Sequence, residues 1–275
     1  MAHLRLSAIG VYPLKSAGGL SPREWSLDAL GLVDDRRWML VDPEGKFVTA
    51  RTEPRMALLR VAFSEDRRSL WVRAAGMEPL SLTRPLDLDE TVEIWGDSVN
   101  AASVGPEADR WFSAYLARKV RAVYIPPHGV RQVDPRYARP GDRVGFADGF
   151  PALLVTDTAL DELNSRLRDP LTMARFRPNL VISGAPAHAE DGWRRVRIGA
   201  ASSGVEFDVV KPCARCTMTT IDPETAVKGR EPLKTLAGYR RDEASGQVMF
   251  GQNVIHRGVG ELRVGDPVTV LETVA

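Results

Sequence analysis

Apolar and polar positions alternate in short runs along most of this chain, with turn residues between the runs. Leu4-Arg5-Leu6-Ser7-Ala8-Ile9 has the two-residue period of a half-buried strand. Residues 38–41 and 46–48 flank Asp42-Pro43-Glu44-Gly45, which reads as a hairpin turn. The proline suits its second position, and the glycine suits a left-handed bulge. Apolar runs at 58–63, 70–73, 80–82 and 92–95 continue the pattern, and strands this short and close predict a closed or nearly closed β-barrel. At Pro106 the period changes. Ala108, Trp111, Phe112, Tyr115 and Leu116 form one apolar stripe, so a helix with proline at its first position is predicted.

Residues 125–148 break the rhythm with four prolines, many arginines and little periodicity, and a domain connection is placed there. The predicted units are 1–122, an N-terminal β-barrel domain, and 123–275, a second β-barrel domain with a few helices. The fold class is therefore mixed and mainly β (α+β). The second unit opens with the apolar run 152–155. A helix is predicted from about Thr158, with Asp161 completing a capping-box pattern and Leu160, Leu163 and Leu167 on one face. Asp169-Pro170 ends it. Strands are predicted at 180–182, 196–198, 205–210, 248–255 and 268–271, with a short helix at 231–239. The β-branched run after Cys216 is also read as a strand.

Composition narrows the function classes. The chain has 275 residues, 44% hydrophobic and 27% charged, with a formal net charge of +1. That balance supports neither a nucleic-acid nor a membrane-surface role. Residues 1–13 contain no continuous apolar segment of the kind a secretory signal needs, and no window has the length of a membrane span. Two cysteines in a chain this size argue against a disulfide-built secreted fold, and a cytoplasmic location is expected.

Both cysteines lie in Cys213-Ala214-Arg215-Cys216. The spacing fits half a zinc site, a redox pair, or a thiolate ligand to another metal. No second cysteine pair completes a zinc site, and the four histidines show no ligand spacing. A thioredoxin-like pair needs a helix starting at the motif. One thiolate beside Arg215 and close to Lys211 remains, or two ordinary buried cysteines. Lys15-Ser16 with Gly18-Gly19 could hold a phosphate, although Leu14 stands where a Walker A loop needs glycine; a plain surface turn also explains it. Phe176-Arg177-Pro178-Asn179 places two polar side chains rigidly at a strand entrance, as a binding site or a structural turn would. No Gly-x-Gly-x-x-Gly fingerprint opens a strand–helix unit, and no cysteine set could hold an iron–sulfur cluster.

Taken together, Tyr12-Pro13-Leu14-Lys15-Ser16, Asp35-Arg36-Arg37-Trp38, Thr49-Ala50-Arg51, Phe146-Ala147-Asp148-Gly149, Phe176-Arg177-Pro178-Asn179, Cys213-Ala214-Arg215-Cys216 and Phe250-Gly251-Gln252 resemble the MOSC-domain proteins with an N-terminal β-barrel domain. The likeness is to the type of the mitochondrial amidoxime reducing component and its bacterial relatives, and it runs from about Leu4 to Leu271. It implies a molybdenum cofactor (Mo-molybdopterin), with Cys216 as metal ligand and catalytic centre. It implies cofactor contacts from Lys15, Ser16, Arg36, Asp148, Gly149, Phe150, Arg177, Asn179, Ala214 and Arg215. Ala214 stands where relatives can carry a hydroxyl, and Gly149-Phe150 where some have Thr-Ser, so main-chain donors are expected there. Pyridoxal phosphate binding is a further association that the resemblance leaves open. The implied activity is reduction of small N-hydroxylated substrates (amidoximes, hydroxylamines, N-hydroxylated bases). Electrons are expected from a separate flavin, haem or iron–sulfur reductase, because the sequence shows no dinucleotide fingerprint and no cysteine set for a cluster; neither a ferredoxin-like extension nor an N-terminal anchor is expected, which leaves the donor's identity open. The alternative is a non-catalytic cofactor or sulfur carrier.

Overall fold

The computed structural model describes residues 3–274 and is mainly β, with a few short helices. The alternating runs form strands where their period predicts. In chain order these are β1 (Arg5–Ile9), β2 (Glu24–Asp28), β3 (Gly31–Leu32), β4 (Trp38–Val41), β5 (Phe47–Val48), β6 (Arg60–Phe63), β7 (Leu70–Arg73), β8 (Leu80–Leu82), β9 (Glu90–Ile94) and β10 (Asp97–Ser103). The helix α1 (Pro106–Leu116) follows with proline in its first turn, and buries Ala108, Phe112 and Leu116. After it come β11 (Arg121–Tyr124), β12 (Ala152–Thr156), α2 (Asp157–Ser165), β13 (Leu180–Ser183), β14 (Trp193–Ile198) and β15 (Val205–Ala214). The chain finishes with α3 (Leu233–Leu236), β16 (Met249–Arg257), β17 (Gly260–Arg263) and β18 (Val268–Thr273).

Two sheets curl until their edges meet. The five-stranded sheet has the order β5-β4-β11-β10-β9, and the N–H of Glu93 on β9 donates to Gly45 O at 2.9 Å, beside β5. The seven-stranded sheet has the order β1-β13-β12-β16-β15-β14-β18. Its ends are joined by Leu6 N–H to Asp266 O (2.9 Å), Gly265 N–H to Leu6 O (2.8 Å) and Val268 N–H to Leu4 O (2.9 Å). The first strand thus pairs with β13 on one side and approaches β18 on the other, far from its neighbours in sequence. Burial explains this. Leu6 and Ile9 pack with Leu180, Ile182, Phe207 and Val254 in the core of the larger sheet. Likewise β2 pairs with β17.

Three local expectations are corrected. The β-branched run after Cys216 is a single 3-10 turn, Thr217–Thr220, rather than a strand. The hydroxyls of Thr219 and Thr220 donate back to the carbonyls of Cys216 (3.0 Å) and Thr217 (2.8 Å), and such local bonds compete with a strand ladder. Thr158 does not cap α2. The helix starts at Asp157, and the Thr158 hydroxyl donates to Ala185 O at 2.9 Å instead. The helix expected over 231–239 contracts to the four residues of α3.

Candidate active site

One cavity, about 280 Å³ in volume, lies between β15 and the loops leading into β4, β12 and β13. Its wall contains Lys15, Ser16 and Arg36 from the first part of the chain, and Asp148, Gly149 and Phe150 from the segment before β12. Arg177 and Asn179 come from the entrance to β13, and Ala214, Arg215 and Cys216 from the end of β15. All eleven residues singled out from the sequence therefore meet here. Arg51, Lys211 and Cys213 share the same wall and were not among them.

Backbone strain concentrates at this place. Ser16 (φ 73°), Arg36 (φ 48°) and Arg177 (φ 55°) are left-handed non-glycine residues, a conformation that costs about 1–2 kcal/mol each. It persists because the surroundings hold it. The Arg36 guanidinium donates to Asp35 Oδ2 (2.5 Å), to Asn179 Oδ1 (3.0 Å) and to Arg177 O (3.0 Å). Asn179 is buried, accepts also from Leu153 N–H (3.1 Å), and donates to Gly10 O (2.9 Å). Its amide oxygen and one amide N–H hold Arg36 and the strand entrance. Two guanidiniums lie against the Tyr12 ring, Arg36 at 4.4 Å and Arg177 at 4.3 Å from its centroid. Gly10 admits no side chain, since a Cβ there would stand 2.2 Å from Pro178 O.

The charge of the wall is uneven: six cations (Lys15, Arg36, Arg51, Arg177, Lys211, Arg215) face one carboxylate, Asp148. Lys15 Nζ donates to Asp148 Oδ1 (2.7 Å) and Phe146 O (2.8 Å). Burial pulls the Lys15 pKa down from its ordinary value, and Asp148 offsets this in part. Burial works to raise Asp148, but Lys15 and then Arg51 hold its carboxyl well below the usual carboxylate range. Its side chain is still 63% exposed, so it stands at the rim rather than in the floor. Arg177 donates to Ala17 O (2.5 Å) and has no carboxylate partner among the described residues. Burial first, and then the Arg36 charge, lower its pKa to about 10. Arg131 was not singled out either; it shapes the rim loop by donating to Gly145 O (3.0 Å) and Ala147 O (2.6 Å).

The two thiols keep different company. Cys216 Sγ lies 3.9 Å from Arg51 Nη1, whereas Cys213 Sγ accepts from Arg215 Nη1 at 2.9 Å. Arg215 also donates to Phe176 O (2.7 Å), and its buried Nε has no partner among the described residues. The N–H groups of Asp148, Gly149 and Phe150 take no backbone acceptor among the described residues, and a Cβ at Gly149 would meet nothing within 4 Å. Thiols, uncompensated cations and free main-chain donors so close together suit an anionic ligand that also offers a metal to sulfur.

Comparison with known proteins agrees with this geometry. The MOSC N-terminal beta barrel domain model matches residues 3–119, and the MOSC domain model matches residues 141–269. Mitochondrial amidoxime-reducing component 1 of Mus musculus is 36% identical over 97% of this chain and 82% of its own length. This chain belongs to the MOSC-domain family. The Homo sapiens protein of the same name is 34% identical over 97% of this chain, and that of Xenopus laevis 33% over 96%, each over 81–82% of its own length. Pyridoxal phosphate finds no support among these relatives. No helix among the described residues is long and apolar enough to cross a membrane.

Proposed function

We propose that this MOSC-family protein is a molybdenum-cofactor-dependent reductase of N-hydroxylated compounds, supplied with electrons by a separate redox protein. The observation that carries this reading is the convergence of a thiol and five basic groups besides Lys15 on one cavity, three of them, Arg177, Lys211 and Arg215, without a carboxylate partner among the described residues. The names of the relatives add the substrate class.

The residues present fit the cofactor. Cys216 would hold the metal, a soft high-valent ion that favours thiolate. Arg177, Arg215, Lys15 and the main-chain donors of Gly149 and Phe150 would hold its anionic tail. When bound, this cofactor supplies two-electron, oxygen-accepting chemistry. The chain supplies position and charge. Arg36, fixed by Asp35 and Asn179, keeps the Arg177 backbone in its left-handed turn, and Arg215 is braced by Phe176 O. Asp148, at the rim, pairs with Lys15, and the other five cations of the wall leave the interior cationic. Arg51 brings a positive charge to within 3.9 Å of the Cys216 sulfur.

Protein made in a host that synthesises the cofactor is expected to carry near-stoichiometric molybdenum and pterin, and to reduce an aryl amidoxime with a reduced viologen dye as donor. Metal and pterin without turnover would replace the reductase with a carrier. Neither metal nor pterin would overturn the assignment of the cavity.

A further inference from the structure

Trp95 and Gly96 form the two-residue turn between β9 and β10, with Ile94 paired to Asp97 across it. Both are left-handed, at φ 55° and 88°. This is the hairpin turn that Asn-Gly satisfies best, and a bulky aromatic at its first position is an outlier. Burial does not explain the choice, because Trp95 is 47% exposed.

What the indole touches does explain it. Its Nε1 donates to Asp148 Oδ1 at 3.3 Å, and the Arg51 guanidinium lies 4.3 Å from its ring centroid. Phe47 packs beside it, with centroids 5.0 Å apart and planes inclined by 49°. Asp148 and Arg51 both line the cavity, and Arg51 reaches to within 3.9 Å of Cys216 Sγ. A strained, half-exposed aromatic is therefore held at the rim by Asp148 and by the arginine that approaches the thiol. An exposed aromatic surface of this kind stacks planar π-systems and gives alkyl groups much less.

We infer that Trp95 is a specificity-determining residue for the reaction proposed above, on which this inference rests. Its indole receives the planar, π-rich part of the substrate while the N-hydroxylated end extends past Arg51 toward Cys216. The chain then favours aryl and heteroaryl amidoximes and N-hydroxylated bases over aliphatic hydroxylamines.

Trp95→Asn tests this without risk to the fold, since it creates the turn sequence that the backbone prefers. Wild type, Trp95→Asn and Trp95→Phe, all cofactor-loaded, would be compared on benzamidoxime and on N-cyclohexylhydroxylamine with reduced viologen as donor. Calorimetry of benzamidine binding, with no reductant present, gives a readout independent of turnover. Trp95→Asn should lower the aryl-to-alkyl ratio of kcat/KM roughly tenfold, through KM for the aryl substrate, and weaken benzamidine binding by a similar factor. Trp95→Phe should recover most of both. An equal loss on the two substrates, or no loss, would overturn the shelf while leaving the reductase reading intact. If loaded wild type reduces neither substrate, the reductase reading falls, and equal benzamidine affinity in wild type and Trp95→Asn would remove the shelf as well.

Discussion

Cys213 and Cys216 are three positions apart in the chain, yet only one of them faces Arg51. Cys213 accepts a hydrogen bond from Arg215 and packs against the apolar cluster around Phe176 and Phe250. Cys216 lies past the end of β15, at the start of a 3-10 turn, where no ladder bond restrains it. Cys216→Ser is therefore expected to abolish N-reduction and metal content with little change in thermal stability. Cys213→Ser should keep most of the activity and lose about 1 kcal/mol of stability from its packing. Activity assays, metal analysis and thermal melts on the two variants check this, and the opposite pattern would reassign the ligand. Which thiol mattered could not be read from spacing, since the motif is nearly symmetrical about Ala214-Arg215. The role of Arg51 was equally hidden. It lies 165 residues from the sulfur it approaches, and no spacing rule joins them. Trp95 read as the end of a strand, because left-handed backbone is invisible in a sequence unless glycine or asparagine marks it.

Elements with a strict period were legible, as β7, β8 and α1 show. Elements decided by hydroxyls were not. The threonines after Cys216 look like a strand by composition and form a turn by hydrogen bonding. The junction of β12 with α2 holds another such case. Glu190, fully buried in the 3-10 turn Ala189–Gly192, accepts from Thr156 N–H (3.2 Å) and shares a 2.7 Å hydrogen bond with the Thr156 hydroxyl. Burial raises its pKa above the ordinary 4.5. The unfolded chain then loses this proton at lower pH than the folded one. Its contribution to stability is thus full below the unfolded pKa and declines as pH rises through the folded pKa. Glu190→Gln, which preserves the shape, should flatten that decline by on the order of 1 kcal/mol. Urea denaturation of both proteins between about pH 4 and pH 8 measures it. Parallel curves would show that Glu190 does not titrate in this range.

Among the described residues both thiols open onto one and the same cavity. Among the described residues no group of three or more histidine, cysteine or acidic side chains could hold another metal, and both cysteines already stand in the cavity wall. The loaded protein should therefore reduce an amidoxime with a viologen donor and fail to do so with NADH or NADPH alone. Adding a suitable flavin, haem or iron–sulfur reductase should restore nicotinamide-dependent turnover, followed by loss of NADH absorbance. Sustained NADH oxidation by the chain alone would reveal an undetected cofactor site. At this scale the mainly β class was plain in the sequence, and the partner of the first strand was not. The alternation of Leu4 to Ile9 says that one face is buried, and nothing in it says against what.

The closing of the larger sheet by that first strand sets the order in which the site can come into being. Arg5 Nη1 reaches Gly265 O across 260 residues of chain, and the neighbouring main-chain bonds join the same two segments. At synthesis rates of about 5–20 residues per second, the first strand leaves the ribosome roughly 13–50 s before the segment that completes its barrel. β15 and Cys216 also emerge before β16, which supplies the middle of their sheet. The cradle can therefore take shape only after β16 and β18 have followed β15 out of the ribosome, and shorter nascent chains offer a ligand only part of the wall.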